Sequence, residues 1–477
     1  MGFCYLRNKK RIMKIEQLYT NCLAEAAYLL ECEGQAVIID PLRDIQSYLD
    51  LLEERDLKLT HILETHFHAD FVSGHIDLAK ATGAKIVFGP NAVTDYDAHI
   101  AVDEEIIQLG DHQIKVLHTP GHTMESSCYL LIDANGNEKA LFSGDTLFIG
   151  DVGRPDLAVK SDLTTEDLAG HLYDSIQNKI MPLSNDVIVY PAHGAGSSCG
   201  KNLSSETFDT LGNQKKNNYA LNQPNKKAFV KEVTDGILPP PAYFPKAAIL
   251  NKTGYTPVDE VLGKVIALDL DTFKSYLSKA EVLDTRHQKD FCIAHAPNST
   301  FIGIDGGFAI WAGTVLTDLH KEIVFVADPG REQEVVTRLT RVGFDNIVGY
   351  LEGGFETWKN AGEALANLDS ITPEALKSLT QAENINIIDA RKLGEFEAGH
   401  IDSADHQPLD YIHENQVNYN KDETYYIHCR SGYRSVVAAS ILRQKGIKNV
   451  VDLAGGFVAL EKSNLFNMRT ETACTAS

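Results

Sequence analysis

ETHFHADFVSGH, residues 64–75, carries three side chains of types that commonly bind metals: His66, His68 and Asp70. The stretch follows an apolar, strand-like run, and the loop after a buried strand is where functional side chains are usually displayed. The next position, Phe71, is an aromatic ring where a two-metal site would use a further ligand. The stretch therefore indicates either an impaired two-metal site or a site built for one metal.

Three further pieces carry the same residue types, each at the end of an apolar run: TPGHT with His122, SGDT with Asp145 and YPAHG with His193. A single His-x-His pair often has a structural role, as surface or capping residues. Four His/Asp pieces in this order are difficult to obtain by chance. Together they indicate a metal site.

The length and composition are those of a globular protein with several domains. At 477 residues the chain is long enough for about three domains, and 43% hydrophobic with 23% charged residues is ordinary for this class. The formal net charge of −22 argues against nucleic-acid binding, so local arginines or backbone amides must hold any anionic substrate. No apolar run reaches the roughly 18 residues of a transmembrane helix.

The N-terminal segment is basic but lacks an apolar stretch of signal-peptide length. Met13 offers a more natural start, and we expect residues 1–12 to be an extension. The eight cysteines are scattered along the chain and do not make a disulfide framework. Reduced thiols in a cytoplasmic protein are the better interpretation.

Strand-like runs such as QAVIID and HQIKVLHT alternate with helical stretches such as SGHIDLAKATG up to about residue 250. LPPPAYFPKAA, residues 238–248, contains four prolines and is typical of a stiff linker. We therefore expect a first α/β domain over residues 13–250.

An internal repeat follows the linker. VLDTRHQKDF (282–291) in its first copy matches IIDARKLGEF (387–396) in its second, and each copy later reaches a strand that ends in Gly-Gly-Phe. The βα units between these motifs predict parallel sheets. We expect two α/β domains, over residues 251–365 and 366–477.

The metal-type pieces resemble the metallo-β-lactamase fold superfamily over most of residues 13–250. The resemblance implies an αββα sandwich with its metal site at one edge. Two-metal hydrolases of this superfamily use His-x-His-x-Asp-His, in which the Asp-His pair helps to hold the second ion. Phe71 replaces that last histidine and has no atom that binds a metal, which argues against a two-metal cluster.

GHTMESSCYL (121–130) and SGDTLFIGDVGRPDL (143–157) are similar to the persulfide dioxygenase branch of this superfamily. The resemblance implies one mononuclear non-haem Fe(II) per chain, bound by His66, His122 and Asp145. Two histidines and one carboxylate with open positions form the arrangement associated with Fe(II) and dioxygen chemistry.

Other polar residues would support the ligands or the substrate. In this branch His68, Asp70 and His193 would orient ligands or substrate by hydrogen bonds. Arg154 is a candidate for binding the carboxylate of a thiol cosubstrate, and the alternative is a surface salt bridge. Cys199, in a Gly/Ser-rich stretch expected to be flexible, either relays or senses sulfur near the iron or is a plain loop cysteine.

HCRSGYRS, residues 428–435, lies between the apolar strand YYIH and the helical run VVAASILRQKG. Cys429 therefore stands at a helix N-terminus, inside a turn whose N–H groups converge. Both features favour a thiolate and an oxyanion such as sulfite or thiosulfate, and Arg430 and Arg434 add positive charge. A cysteine phosphatase uses a similar loop, but with the spacing C-x5-R instead of the C-x4-R found here.

With DARKLGEFEAGHI upstream, this loop resembles the rhodanese family over about residues 372–462. The resemblance implies that Cys429 is a catalytic nucleophile that carries a covalent persulfide, with Arg430 and Arg434 beside it.

The first copy of the repeat has no cysteine at the corresponding place. Ala327 lies opposite the cysteine of the second copy, or Asp328 does if one gap is introduced. Residues 264–362 therefore resemble a rhodanese-like domain without sulfur-transfer activity.

The whole chain resembles fusions of a persulfide dioxygenase with one degenerate and one active rhodanese domain. The expected reaction is Fe(II)-dependent oxidation of a low-molecular-weight persulfide, of glutathione, coenzyme A, cysteine or a similar thiol, to sulfite and the free thiol. Sulfur transfer at Cys429 would then give or use thiosulfate, as part of sulfide and persulfide detoxification. We further expect a homo-oligomer that binds neither nucleic acid nor membrane.

Two alternatives stay open at this point. One is a zinc thioester hydrolase of the glyoxalase II type with accessory rhodanese domains. The other is a regulatory sulfur-binding module without turnover.

Overall fold

The computed structural model describes residues 13–158, 163–201, 203–415 and 419–470. The expected N-terminal extension therefore lies outside the described residues. The chain divides into two compact units, of which the first holds the described residues up to Val258 together with Thr340–Gly343. The second holds the rest.

The first unit is built on two six-stranded sheets, which join the strands in the orders β1-β2-β3-β4-β5-β6 and β12-β11-β10-β9-β8-β7. A π-helical turn, Ile176–Ile180, continues the third helix. The elements in chain order are β1 (Lys14–Thr20), β2 (Glu25–Cys32), β3 (Gln35–Ile39), α1 (Gln46–Glu54), β4 (Lys58–Leu63), α2 (His75–Thr82), β5 (Lys85–Phe88), β6 (His99–Ile100), β7 (Ile106–Leu109), β8 (His112–His118), β9 (Ser127–Ile132), β10 (Glu138–Gly144), α3 (Thr165–Ser175), β11 (Ile188–Pro191), β12 (Asp209–Thr210), α4 (Leu211–Asn217), α5 (Lys226–Thr234) and α6 (Phe244–Thr253). The next helix, α7 (Val258–Lys264), lies in the second unit apart from Val258.

Three apolar clusters show how the layers of the first unit stack. One joins the facing sides of the two sheets, for example Tyr28 on β2 and Phe142 on β10. A second packs the outer face of the first sheet against α1 and α2, and a third packs the outer face of the second sheet against α3 and α5. Since each sheet buries both faces, the layers run αββα, as the resemblance to the metallo-β-lactamase superfamily implied.

The proline-rich linker is shorter than expected. The segment has no regular structure up to Pro241, but α6 begins at Phe244, and Phe244 and Ala247 are buried. Pro245 occupies the first turn of this helix, where a missing N–H costs nothing because that group has no helical partner. The prediction of a linker was therefore wrong for residues 244–248.

The second unit contains the two copies of the repeat, and a 3-10 turn, Leu409–Tyr411, lies in the second copy. Its elements in chain order are β13 (Ile266–Leu268), α8 (Leu270–Tyr276), β14 (Glu281–Asp284), α9 (Gln288–Ile293), β15 (Thr300–Phe301), α10 (Phe308–Val315), β16 (Ile323–Val326), α11 (Glu332–Thr340), β17 (Ile347–Leu351), α12 (Phe355–Asn360), β18 (Ser370–Ile371), α13 (Pro373–Ala382), β19 (Asn386–Asp389), α14 (Leu393–Glu397), β20 (His400–Ile401), β21 (Ala404–His406), α15 (Ile412–Asn415), β22 (Tyr425–His428), α16 (Tyr433–Gln444), β23 (Val450–Leu453), α17 (Gly456–Ser463) and β24 (Met468–Arg469).

Each copy forms a five-stranded parallel sheet, in the orders β13-β17-β16-β14-β15 and β18-β23-β22-β19-β21. The Asp-x-Arg motif is buried in both. Arg391 donates to both oxygens of Asp389 and to the Gly399 carbonyl, and Arg286 binds Asp284 in the same way. These pairs hold the loops after β14 and β19 in place.

No helix in the described part of the chain combines the length and apolar character that crossing a bilayer requires.

Candidate functional site

Six predicted side chains of the first unit meet in one buried cluster. His66, His122 and Asp145 form one group, in which the two Nε2 atoms lie 3.8 and 3.4 Å from Asp145 Oδ2. His68, Asp70 and His193 form a second group. None of the six is more than 5% exposed.

Strand register brings these residues together. Parallel pairing of β10 with β11 aligns Gly144 with Pro191, so that Asp145 and His193 both leave the same edge of the sheet. The GRPD segment then closes over His122, because a Cβ atom on Gly153 would lie only 1.9 Å from the Asp145 carbonyl oxygen and 3.0 Å from the His122 ring. Only glycine allows this approach.

In His66, His122 and His193, Nδ1 contacts an oxygen atom of the protein, and Nε2 faces the cluster. His122 Nδ1 donates to the Arg154 carbonyl at 2.8 Å, and His193 Nδ1 lies 3.2 Å from the Ala24 carbonyl. His66 Nδ1 lies 3.0 Å from Thr65 Oγ1, whose own hydrogen goes to Asp40. With Nδ1 protonated, the Nε2 lone pairs face inward, which is the tautomer that binds metals.

Burial, together with the neighbouring histidines, holds the pKa of His66 well below its usual value. The ring is therefore neutral at physiological pH, as a metal ligand must be.

The second group differs from the first. His193 Nε2 lies 3.4 Å from Asp70 Oδ2 and 3.5 Å from Asp145 Oδ1, so Asp145 turns one oxygen toward each group. His68, however, contacts Asp40 at 3.1 Å and stacks on Phe71, with the ring centroids 4.3 Å apart. Burial alone would lower the pKa of His68, but Asp40 raises it to about 10.

Several buried polar atoms of the cluster have no hydrogen-bond partner within the described residues: Asp145 Oδ1 and Oδ2, Asp70 Oδ1, His68 Nδ1 and His193 Nε2. Leaving such atoms unpaired is costly, and a cluster of carboxylate oxygens and imidazole nitrogens is the donor set that binds a divalent metal. The residues therefore fit a metal ion.

In the second unit, Cys429 directly follows β22 and is 1% exposed. The Gly432 N–H donates to its sulfur at 3.2 Å, and the Ser435 hydroxyl lies 3.6 Å from it. The Gly-Gly-Phe motif supports the loop from the next strand: a Cβ atom on Gly456 would lie 2.5 Å from the Cys429 carbonyl oxygen. The motif thus needs glycine because two backbones meet there.

The two arginines of the loop have different surroundings. Arg434 binds both oxygens of Glu395, at 2.5 and 2.7 Å, while Arg430 is exposed. Much of the positive charge that Arg434 was expected to offer is therefore already compensated by Glu395.

A cavity of about 470 Å³ opens onto Cys429. Tyr433 and Arg434 line it from the second copy of the repeat, and His287, Gly306 and Trp311 line it from the first. In the first copy, β16 ends at Val326 as β22 ends at His428, so Ala327 takes the place of the cysteine and the alternative alignment with Asp328 is excluded. That copy lacks the nucleophile yet forms part of the wall around it.

Comparison with known proteins matches both parts of the chain. The family model for the metallo-beta-lactamase superfamily matches residues 20–193, and the model for a rhodanese-like domain matches residues 269–361 and 372–463. A probable hydroxyacylglutathione hydrolase of Schizosaccharomyces pombe is 32% identical over 195 residues, which are 39% of this chain and 71% of that protein. The hydroxyacylglutathione hydrolase of Francisella philomiragia is 35% identical over 206 residues, which are 43% and 74% of the two chains.

The chain belongs to the metallo-beta-lactamase superfamily. A crystal structure of a metallo-beta-lactamase from Staphylococcus aureus is 31% identical, with a TM-score of 0.63, and the match covers 71% of this chain and 98% of that one. The predicted fold class, an αββα metallo-β-lactamase fold followed by two rhodanese-like domains, is confirmed.

Two further predicted residues of this metallo-β-lactamase site are buried. Arg154 donates to both oxygens of Asp156 and to the carbonyls of Ser198 and Leu238. Its guanidinium thus joins three segments of the protein, and its expected contact with a substrate carboxylate stays a prediction. Cys199 is 1% exposed, which is not the expected environment of a flexible loop, and its sulfur lies within 4.8 Å of ligand atoms of Asp145 and His193.

Sequence reasoning missed two residues that shape the site. Asp40, at the end of β3, pairs with His68. Asn251, on α6, donates to the carbonyls of His68 and Phe71 and accepts from the Ser73 N–H, each at 2.8 Å. Asp40 and Asn251 are both distant in sequence from residues 64–75, so their amino-acid type was the only feature that could have identified them as site residues.

Proposed function

We propose that this chain oxidises a low-molecular-weight persulfide to sulfite at one Fe(II), and that Cys429 exchanges sulfane sulfur with sulfite or thiosulfate. In the first reaction a persulfide anion, dioxygen and water give the free thiol, sulfite and one proton. In the second, a persulfide on Cys429 gives its outer sulfur to sulfite, which leaves a cysteine thiolate and thiosulfate.

The observation that carries this proposal is the difference between the two ligand groups. His66, His122 and Asp145 offer two imidazoles and one carboxylate, and burial with the neighbouring histidines holds the pKa of His66 well below its usual value. In the second group, His68 is charged by its contact with Asp40, and Phe71 stands where a further ligand would lie. One complete three-residue face with open positions is the arrangement that suits Fe(II).

Bound Fe(II) would supply adjacent open positions for the persulfide sulfur and dioxygen. The protein's own residues orient this site: the Arg154 carbonyl fixes the His122 ring, and Thr65 fixes the His66 ring. Burial of the cluster limits access of water.

The two rhodanese-like domains support sulfur as the substrate. Cys429 can hold a persulfide, and fusion keeps sulfite at a high local concentration beside it. The cavity at Cys429 falls within the usual size range of small-molecule sites and is much larger than a sulfite ion, which leaves room for an organic thiol carrier.

The test is oxygen uptake by anaerobically purified protein supplied with glutathione, coenzyme A and cysteine persulfides, with iron and zinc measured in the same sample. We expect one iron per chain, oxygen consumption, and sulfite or thiosulfate as product. Zinc with thioesterase activity and no oxygen consumption would overturn the proposal.

The second candidate is a zinc thioester hydrolase, and a specific observation favours it: Asp145 turns one oxygen toward each ligand group, as a bridging carboxylate would in a two-metal site. The named relatives above are hydroxyacylglutathione hydrolases, which points the same way. Phe71 and the His68–Asp40 contact favour the dioxygenase instead.

Phe71→His should separate these candidates. The new imidazole restores a ligand beside Asp70 and His193, so we expect metal content to rise from one to two ions per chain, with oxygen uptake reduced about tenfold or more. Elemental analysis and oxygen uptake measure the two effects. Phe67→His is the matched control, since Phe67 packs on Phe88 and lies outside both ligand groups. Unchanged metal content in Phe71→His would contradict the one-metal explanation of Phe71.

A further inference from the structure

The sulfur of Cys429 is connected to a buried carboxylate through one hydroxyl group. Ser435 Oγ lies 3.6 Å from Cys429 Sγ and 2.6 Å from Asp452 Oδ1. Ser435 is fully buried and Asp452 is 5% exposed. A hydroxyl has one hydrogen, so Ser435 donates either to the carboxylate or to the sulfur.

This chain of contacts is absent from the first rhodanese-like domain. Strand register identifies the counterpart of Asp452, because Ile427 pairs with Asp452 as Phe325 pairs with Tyr350. The first domain has Ala327, Gln333 and Tyr350 where the second has Cys429, Ser435 and Asp452. The rhodanese-like topology therefore forms without this serine and this aspartate. Both residues are present in the domain that has the reactive cysteine.

We propose that Asp452 is a positioning residue for Cys429, acting through Ser435: its protonation state decides whether the hydroxyl donates to the carboxylate or to the sulfur. The inference rests on the proposed sulfur transfer at Cys429. An ionised Asp452 takes the hydrogen and leaves the hydroxyl oxygen facing the sulfur, which disfavours a thiolate or persulfide anion. A protonated Asp452 donates to Ser435 and frees the hydroxyl hydrogen for the sulfur.

Burial raises the pKa of Asp452 to about 6, although hydrogen bonds from Ser435 and Ser370 act in the opposite direction. The carboxyl group is therefore mostly protonated below about pH 6 and mostly ionised above it. The hydroxyl would therefore change its acceptor near pH 6.

Several other ionisable groups surround this chain of contacts. Burial and the Asp452 charge raise the pKa of Cys292, on α9, to about 12. Arg443, which interacts with Cys292, and Arg434, which interacts with Cys429, stay charged. His428 contacts the Cys429 carbonyl and not its sulfur.

The test is the pH dependence of Cys429 alkylation in the full-length protein, followed by mass spectrometry of its peptide. In Asp452→Asn we expect the amide oxygen to keep the hydrogen bond from the Ser370 hydroxyl, which turns the amide N–H toward Ser435 at every pH, so that the Ser435 hydroxyl donates to the sulfur. We expect the midpoint of the alkylation curve to move about one pH unit toward acid, and the inflection near pH 6 to disappear. The Ser435→Ala and Ser435→Ala/Asp452→Asn variants should have the same midpoint, since without the hydroxyl Asp452 has no route to the sulfur.

Asp369→Asn is the matched control, because it removes an exposed carboxylate next to Ser370 that has no contact with Ser435 in the described contacts. An unshifted midpoint in Asp452→Asn would overturn the proposal. The proposal would also be overturned if Asp452→Asn moved the alkylation midpoint by the same amount in a Ser435→Ala background, since Asp452 would then act by charge alone. Alkylation measures the reactivity of the Cys429 sulfur whether or not the protein transfers sulfur. If the midpoint moved as expected in a protein that had no transferase activity, the proposed sulfur transfer would be wrong and the role of Asp452 would stand.

Discussion

Asp145→Ala is expected to abolish both metal binding and oxygen uptake. The Asp145 carboxylate is the one group of the cluster that faces His66 and His122 with one oxygen and His193 with the other. Its removal leaves the first ligand group with the imidazoles of His66 and His122 alone, and we expect more than about 100-fold weaker metal binding with a comparable loss of oxygen uptake. Elemental analysis after gel filtration and an oxygen electrode with glutathione persulfide measure these effects.

The control for this variant is internal. Cys429 belongs to the other compact unit, so sulfur transfer from thiosulfate to cyanide should continue in Asp145→Ala. Asp186→Ala, which removes an exposed carboxylate of the first unit, should change neither activity. Oxygen uptake that survived in Asp145→Ala at the native rate would rule out this carboxylate as a ligand.

The alternation of strand-like and helical runs predicted an α/β domain, and the resemblance to the metallo-β-lactamase superfamily implied its αββα layers and the grouping of the metal-type residues. Asp145 and His193 each follow an apolar strand, and parallel pairing of β10 with β11 brings these two strand ends to one edge of the second sheet, while His66 follows β4 in the first sheet.

The interactions that separate the two ligand groups were not predictable in this way. The contact of Asp40 with His68 depends on the register between β3 and β4, which no local pattern encodes. Asn251 contacts the loop from α6, whose first turn was predicted to be part of a linker because Pro245 follows three other prolines closely in sequence. The roles assigned to His68, Asp70 and His193 stay predictions.

The repeat illustrates a different limit. The first copy was predicted to be inactive from the missing cysteine alone. That it also contributes His287, Gly306 and Trp311 to the wall of the Cys429 cavity depends on how the two copies pack within their unit. Packing of this kind follows from surface shape, which a comparison of motifs does not contain.

Cys429→Ser is expected to abolish sulfur transfer while leaving oxygen uptake unchanged. A serine hydroxyl cannot carry a persulfide, so we expect the transfer rate from thiosulfate to fall about 1000-fold or more. The buried site should accept serine with little loss of stability, because the two side chains have nearly the same size and Gly432 and Ser435 remain as partners. The product of persulfide oxidation should change as well, from thiosulfate to free sulfite.

Cys292→Ser provides the matched control, since Cys292 lies in the same unit, and its raised pKa, about 12, keeps its thiol protonated. Both variants are assayed for cyanide-dependent sulfur transfer, and the products of glutathione persulfide oxidation are separated by chromatography. If Cys429→Ser transferred sulfur at the native rate, the carrier would be another thiol. If it still released thiosulfate at the native ratio to sulfite, the two reactions would not be coupled through this cysteine, and the fusion would need another explanation.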